Sequence, residues 1–166
     1  MFDRLIAVWE VITGGLDRVG AWLPALFLRL ILAWEFWEAG ITKYNGNNWF
    51  SGIQNSFPFP FNVIDPNISW FLATWAELIG AVLLVFGLFT RFASLSLIIL
   101  TIVAALAVHW PDSYSSFSEL WKGYAITNKG FGNFKLPLLY LLMLLPLLFN
   151  GAGKASIDHM LKKVID

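Results

Sequence analysis

Four long apolar segments most constrain what this chain can fold into. They cover about residues 23–41, 68–89, 92–109 and 136–149. A bilayer core about 30 Å thick needs roughly 20 helical residues, which the second segment supplies and the third nearly supplies. We therefore predict an all-α membrane protein, a bundle of four transmembrane helices that forms a single domain over residues 1–166.

The connections between these segments differ strongly in length. Only Thr90 and Arg91 separate the second segment from the third, which predicts a tight antiparallel pair of helices. Residues 42–67 and 110–134 are long and rich in aromatic residues, Gly and Asn, and we expect them to form folded caps at the membrane surface. Pro146 in the short fourth segment is expected to kink or end that helix.

Composition supports the membrane assignment and excludes several functions. The chain is 58% hydrophobic and 13% charged, too little charge to cover a soluble domain of this size. Its net charge is zero, so nothing indicates a nucleic-acid partner. Cysteine is absent, which excludes disulfides, thiolate metal sites and a redox-active thiol pair. The chain has only two histidines, and we do not predict bis-histidine haem ligation.

Residues 1–20 have the pattern of an amphipathic helix. Apolar side chains recur with helical spacing from Phe2 to Leu16, while Asp3, Glu10 and Asp17 interrupt any signal-peptide core. We predict a helix lying on the membrane surface. The alternative is a plain extension of the first membrane helix.

Lys and Arg counts give the predicted orientation. With four spans, both termini share one side of the membrane, together with the tight turn. That side carries six basic residues and the other carries four, which places both termini in the cytoplasm of a multi-pass inner (plasma) membrane protein. The six are Arg4, Arg18, Arg91, Lys154, Lys162 and Lys163, and the four are Lys43, Lys122, Lys129 and Lys135.

Ionisable residues inside the predicted spans are the first candidates for function, because charge at membrane depth is costly and usually has a partner. Counted from Ile41, Arg29 lies about 18 Å deep, and Glu77 lies about 13 Å below the same surface. We therefore expect an ion pair between Arg29 and Glu77. Such a pair could serve function or only fix helix register.

Glu35, Glu77 and His109 could line a pocket in the outer leaflet, and they are, with Arg29, the candidate catalytic residues. An aromatic-walled pocket with a few polar groups suits a flat ring with carbonyl or hydroxyl substituents, such as a quinone. Its predicted walls are Trp34, Trp37, Trp75 and Trp110. These tryptophans could instead be ordinary anchors at the membrane surface.

The sequence does not predict a metal site, because no set of residues has the spacing of known metal ligands. Two carboxylates and an imidazole could shuttle protons or hold a divalent cation, but one histidine among scattered carboxylates has no recognised ligand spacing. His159 lies in the C-terminal tail IDHMLKKVID, which we read as polar, and is expected to be a solvated side chain.

Several segments together resemble the DoxX family of small membrane proteins. They are AELIGAVLLVFGLFTRFASL at 76–95, Arg29, AGITKY at 39–44, AALAVH at 104–109 and NGAGKASIDHML at 150–161. EFWEAGITKYNGNNWF with FPFPFN further resembles a DoxX subgroup found with small secreted metal-binding peptides and their maturation machinery.

The resemblance implies a four-helix bundle in the inner membrane and a link to membrane redox systems. The name-giving branch resembles a subunit of a thiosulfate:quinone oxidoreductase. By position, Arg29, Glu77, His109 and Asp158 match the recurrent polar residues of the family. Lys135 stands where members often carry an acidic residue, so a proton or substrate site does not carry over there.

Three functions remain open from the sequence. The first is a component of a quinone-linked redox system or of a peptide-maturation system, working with a membrane or periplasmic protein partner. The second is a non-catalytic scaffold or anchor, and the third is a small transporter subunit. No covalently bound cofactor is expected. Small side chains along the second span permit a homo-oligomer without requiring one. They are Ala73, Ala76, Gly80, Ala81 and Gly87.

Overall fold

The computed structural model describes residues 2–125 and 129–165, and every regular element in these ranges is helical. The α-helices are α1 (Phe2–Gly20), α2 (Leu23–Asn45), α3 (Pro66–Phe86), α4 (Thr90–Ala104), α5 (Phe117–Leu120), α6 (Lys135–Asn150) and α7 (Ile157–Ile165). Short 3-10 helices cover Phe50–Ser56 and Trp121–Ala125, and one π-helical turn covers Ala105–His109. The prediction of an all-helical fold is confirmed.

Three stretches of the described chain are long and apolar enough to cross a membrane. They are Phe2–Asn45, Pro66–Phe86 and Thr90–His109, the last formed by α4 and the π turn. At 16 residues, α6 is apolar but shorter. Its length of about 24 Å falls short of a typical hydrocarbon core, so a fourth crossing stays a prediction.

Four helices share one core. α2 packs against α3 and α6, and α4 packs against the same two helices from the other side. Small residues allow close approach: a Cβ on Gly40 of α2 would lie 2.8 Å from the Leu78 side chain of α3. The buried core residues are Leu32, Ala33, Phe36, Ala81, Leu84, Ala93, Leu97, Leu144 and Leu147.

The helix ends follow local sequence signals. Asp65 caps α3, its carboxylate accepting a hydrogen bond from the Asn67 N–H at 2.7 Å, and Pro66 occupies the first turn. Gly87 ends α3 in the left-handed conformation, with φ +61°. Pro146 does not end α6, which continues to Asn150, because Leu144 and Leu147 on either side of it are buried in the core.

The bundle has two unlike ends. At one end lie the start of α2, the turn between α3 and α4, and the tail before α7, where the Lys154 N–H donates to the Ala21 carbonyl at 3.0 Å. At the other end lie the two long loops, of which residues 126–128 fall outside the described chain. α1 contains no buried residue, and its position on the membrane surface stays a prediction.

The first long loop is folded around aromatic side chains. Phe50 and Phe57 are buried with ring centroids 4.9 Å apart, and Phe50 lies 5.0 Å from Trp70 of α3. Trp49 also contacts Phe50, at 4.9 Å between centroids. This aromatic cluster holds the 3-10 helix Phe50–Ser56 against α3 and the π turn.

Candidate functional site

Arg29 is completely buried, but it does not pair with Glu77. Its guanidinium donates to the carbonyls of Leu84 at 3.1 Å and Val85 at 3.3 Å, and to the carbonyl of Ala155. The predicted Arg29–Glu77 ion pair is therefore wrong. The two residues lie at different levels, because Glu77 is beside Gly40, about 16 Å along α2 from Arg29. Arg29 is instead at the end of α3, where the last carbonyls lack partners within that helix and attract a cation.

Asp158 completes this arrangement from the tail. Its carboxylate accepts from the N–H groups of Phe89 at 2.8 Å and Thr90 at 2.9 Å, so it caps the start of α4. Its own N–H donates to the Gly87 carbonyl at 2.9 Å. Asp158 also acts electrostatically on Arg29. The two family-matched residues thus tie the tail to the turn between α3 and α4, a structural role.

Glu77 pairs with Lys43 instead. The Lys43 ammonium lies 2.7 Å from Oε1 and 2.8 Å from Oε2 of Glu77. Lys43 comes from the last turn of α2, and its long stem lets the ammonium reach a carboxylate that is almost fully buried.

A cavity of about 470 Å³ lies beside this ion pair, between α3 and α4 and beneath the first long loop. This volume falls within the roughly 300–1,000 Å³ typical of ligand pockets. Its polar lining residues are Lys43, Ser69, Glu77, Ser96 and His109. The remaining lining is aliphatic or aromatic, with Trp49, Phe50, Phe57 and Phe61 from the loop.

The cavity reaches the outer apolar surface of the bundle. Leu72, Ile99 and Val108 line it, and each is about half exposed, at 50%, 49% and 47%. Ser69 lines it from α3, and its Oγ is buried with no hydrogen-bond partner among the described residues. An unpaired buried hydroxyl is costly, and a ligand with a polar group could satisfy it.

His109 lies at the end of the cavity nearest the second long loop. Its Nδ1 is 2.5 Å from Oδ1 of Asn133, and its carbonyl accepts from the Asn133 N–H at 2.9 Å. These bonds fix the imidazole at the π turn, a helix defect that is frequent at functional sites. The structure therefore brings His109 and Glu77 to one cavity, and their catalytic role stays a prediction.

Glu35 is not part of this cavity. It lies where α2 meets α6, and its carboxylate accepts a hydrogen bond from the Tyr140 hydroxyl. The prediction that Glu35 lines the same pocket as Glu77 is wrong, because Glu35 and Lys43 project from different sides of α2. A catalytic role for Glu35 stays a prediction without support from this geometry.

The four tryptophans predicted to wall the pocket all lie elsewhere. Trp34 and Trp37 line a separate shallow groove with Val82 and Phe86. Trp75 lies on the bundle surface, with its ring centroid 6.1 Å from that of Tyr44, and Trp110 packs on Phe134 at 4.9 Å. The lining aromatics come instead from the first long loop, whose fold the helical periodicity could not give.

Lys43 and Ser69 were missed by the sequence analysis. Lys43 had a detectable signal, since it continues the buried stripe of α2 at helical spacing after Arg29, Ala33, Phe36 and Gly40. Ser69 had none, because an isolated serine near a helix start is usually exposed. Among the described residues, no group of three or more His, Cys, Asp or Glu side chains is arranged to hold a metal ion.

Comparison with known proteins agrees with this architecture. The sequence profile of the DoxX family matches residues 24–110, slightly more than half of the chain. An uncharacterized protein from Haemophilus influenzae is 47% identical over 149 residues, covering 90% of this chain and 90% of that relative. A second one from the same organism is 29% identical over 140 residues, covering 80% and 87%. No solved structure matches significantly. The chain therefore belongs to the DoxX family of small membrane proteins.

Proposed function

We propose that this protein binds a quinone in the cavity between α3 and α4 and serves as a component of a quinone-linked redox system in the inner membrane. The observation that carries the proposal is the cavity itself. It combines apolar walls, an opening toward the lipid-facing surface and a few polar groups in its lining. A lipid-soluble ring compound could enter from the bilayer without crossing water.

The lining chemistry suits a ring with oxygen substituents. The free Ser69 hydroxyl and the Lys43 ammonium can donate to a carbonyl oxygen, and aromatic side chains of the first loop can contact the ring face. His109 can donate or accept a proton at its second ring nitrogen, since Nδ1 is engaged by Asn133. These groups favour a quinone over a purely aliphatic lipid.

Electrons for quinone reduction would come from a partner protein. The chain has no cysteine, so it cannot supply them through a thiol pair or an iron–sulfur cluster of its own. In this proposal the chain binds and orients the quinone and supplies protons through His109. The partner, membrane-bound or periplasmic, carries the electron donor.

The decisive measurement is titration of the purified protein with a short-chain quinone, followed by tryptophan fluorescence. Trp49 lines the cavity, so a bound quinone should quench it saturably. Ala76→Phe, which places a ring in the cavity from α3, should abolish the saturable component. Ile79→Phe is the matched control, because Ile79 is on the same helix but is 52% exposed and does not line the cavity.

Two results would contradict the proposal. Quenching that rises linearly with quinone, equally in all three proteins, would indicate only partition into the detergent micelle. Saturable quenching that survives Ala76→Phe would place the quinone elsewhere. In either case the scaffold function becomes the better candidate, including a scaffold for a peptide-maturation system, and co-purification of partners through the two long loops would test it. Uptake by reconstituted vesicles would test the transporter alternative.

A further inference from the structure

The C-terminal helix α7 has an apolar face that the protein itself does not cover. Ile157, Met160, Leu161, Val164 and Ile165 repeat at the spacing of one helical face. Met160, Leu161, Val164 and Ile165 are exposed by 65%, 46%, 84% and 83%. The tail was expected to be polar throughout, and the helix shows that its polar and apolar residues are segregated instead.

The opposite face of α7 carries two exposed lysines, and its one carboxylate is bonded to α4. It carries Asp158, His159, Lys162 and Lys163. Asp158 is already engaged with the N–H groups of Phe89 and Thr90, so its charge is directed toward α4. Lys162 and Lys163 are both exposed. The free charge of the helix is therefore positive and borders the apolar face.

The position of α7 limits what can cover this face. Asp158, in the first turn of α7, is bonded to the first residues of α4, which begins the membrane-crossing stretch Thr90–His109. The start of α7 therefore lies at the membrane boundary. Phe89 and Phe92, beside this junction, are themselves 65% and 68% exposed, as expected for side chains in lipid.

We propose that α7 lies in the membrane interface, with its apolar face in the acyl region and Lys162 and Lys163 on anionic phospholipid headgroups. A short helix with an apolar face flanked by lysines binds such a surface by burial and by charge together. The bonds of Asp158 and the donation from Arg29 to the Ala155 carbonyl fix where this helix leaves the bundle. The site is independent of the cavity between α3 and α4.

The absence of native cysteine allows a direct test on the full chain. Val164→Cys on the apolar face and Lys163→Cys on the polar face are each labelled with an environment-sensitive fluorophore. The proteins are reconstituted in vesicles of phosphatidylcholine alone, or of phosphatidylcholine and phosphatidylglycerol in equal amounts. Nitroxide-labelled lipid should quench the probe at 164 strongly in the anionic vesicles and the probe at 163 weakly.

The charge requirement is tested in the Val164→Cys protein by adding Lys162→Glu and Lys163→Glu. Each lysine near an anionic surface contributes about fivefold to the bound population, so loss of the two positive charges alone should lower it about 30-fold, and repulsion of the two added carboxylates should lower it further. Lys122→Glu with Lys135→Glu, the same charge change at the other end of the bundle, is the control and should leave the quenching unchanged. An unaltered unfolding transition verifies that each variant is folded.

Three outcomes would overturn the proposal. A probe at 164 that is as accessible to water as the probe at 163 would show that the face is not in lipid. Quenching that is equal in both vesicle types and insensitive to the lysine reversals would exclude anionic headgroups as the ligand. Protection from lipid quenching combined with disulfide formation between copies of Val164→Cys would identify a second copy of the chain as the occupant.

Discussion

Lys43 and Glu77 join α2 to α3 by a salt bridge, with 2.7 Å between Nζ and Oε1. The Glu77 side chain is 4% exposed and that of Lys43 is 18% exposed. The lysine stem covers the distance from the last turn of α2, so its ammonium stays near the membrane boundary while it neutralises a buried carboxylate. The same pair forms the polar wall of the cavity.

We expect Lys43→Met to lower the free energy of unfolding by about 3 kcal/mol, because it leaves the Glu77 carboxylate buried without a cation. Lys43→Met combined with Glu77→Gln should recover much of this loss, since a neutral amide costs less to bury. Denaturant titration in detergent micelles measures both. If the two single changes simply add, the ion pair contributes no coupling energy.

Arg29→Met should lower the free energy of unfolding by about 3 kcal/mol, because the carbonyls of Leu84, Val85 and Ala155 lose a charged donor. A double-mutant cycle with Asp158→Asn should be non-additive by about 1 kcal/mol. The corresponding cycle with Glu77→Gln should be additive to within about 0.5 kcal/mol. Coupling to Glu77 instead of Asp158 would contradict the observed network.

Gly87→Ala should disrupt the turn between α3 and α4. The residue has φ +61°, and a Cβ there would lie 2.2 Å from Nη1 of Arg29 and 2.6 Å from Cβ of Ser156. We expect a loss of at least about 2 kcal/mol in unfolding free energy, from left-handed strain plus displacement of Arg29.

Gly14→Ala is the matched control for Gly87→Ala. Gly14 lies inside α1, and a Cβ there would have no heavy atom within 4 Å. Since alanine is the better helix former, this change should leave the unfolding free energy equal or slightly higher. Equal losses at both positions would argue against a special role of the turn.

His109→Ala should weaken quinone binding about tenfold, if one hydrogen bond of about 1.4 kcal/mol is lost. The readout is the dissociation constant from the fluorescence titration. Asn133→Ala retains the imidazole but removes its bond to Oδ1, so it should weaken binding less. An unchanged constant in His109→Ala would remove this residue from the site while leaving the cavity assignment open to the Ala76→Phe test.

The helices were largely predictable because they depend on local sequence, although the predicted segment 68–89 ran past the cap of α3 at Gly87. Pro66 after Asp65 and Gly87 after Phe86 delimit α3 by rules that act within a few residues. The apolar runs predicted the core helices, and the short connection predicted between the second and third runs is present. It lies at residues 87–89, however, and Thr90 and Arg91, where we predicted it, are the first residues of α4. The fourth run correctly predicted α6, but its length of 16 residues does not decide whether this helix crosses a bilayer.

The partners of the buried charges were not predictable by the same reasoning. Counting residues from the ends of the predicted spans gave Arg29 and Glu77 similar depths, but it carried no information about how α2 and α3 are shifted along one another. In the structure Glu77 lies beside Gly40, about 16 Å along α2 from Arg29. Arg29 donates hydrogen bonds to carbonyls of α3 and of the tail, whereas Glu77 forms an ion pair with Lys43 at the end of α2. The aromatic lining of the cavity was not predicted, because it comes from residues of the first long loop that are distant in sequence from the α4 residues on the opposite wall.

The sequence by itself determined that this chain is a helical membrane protein of the DoxX family, because hydrophobic length and local capping signals are encoded within single segments. Only the tertiary structure decided that Lys43 neutralises Glu77, that Arg29 and Asp158 fasten the tail, and that His109 and Ser69 face one cavity. Those relationships depend on the rotation and packing of whole helices, which arise from many weak contacts summed across the bundle.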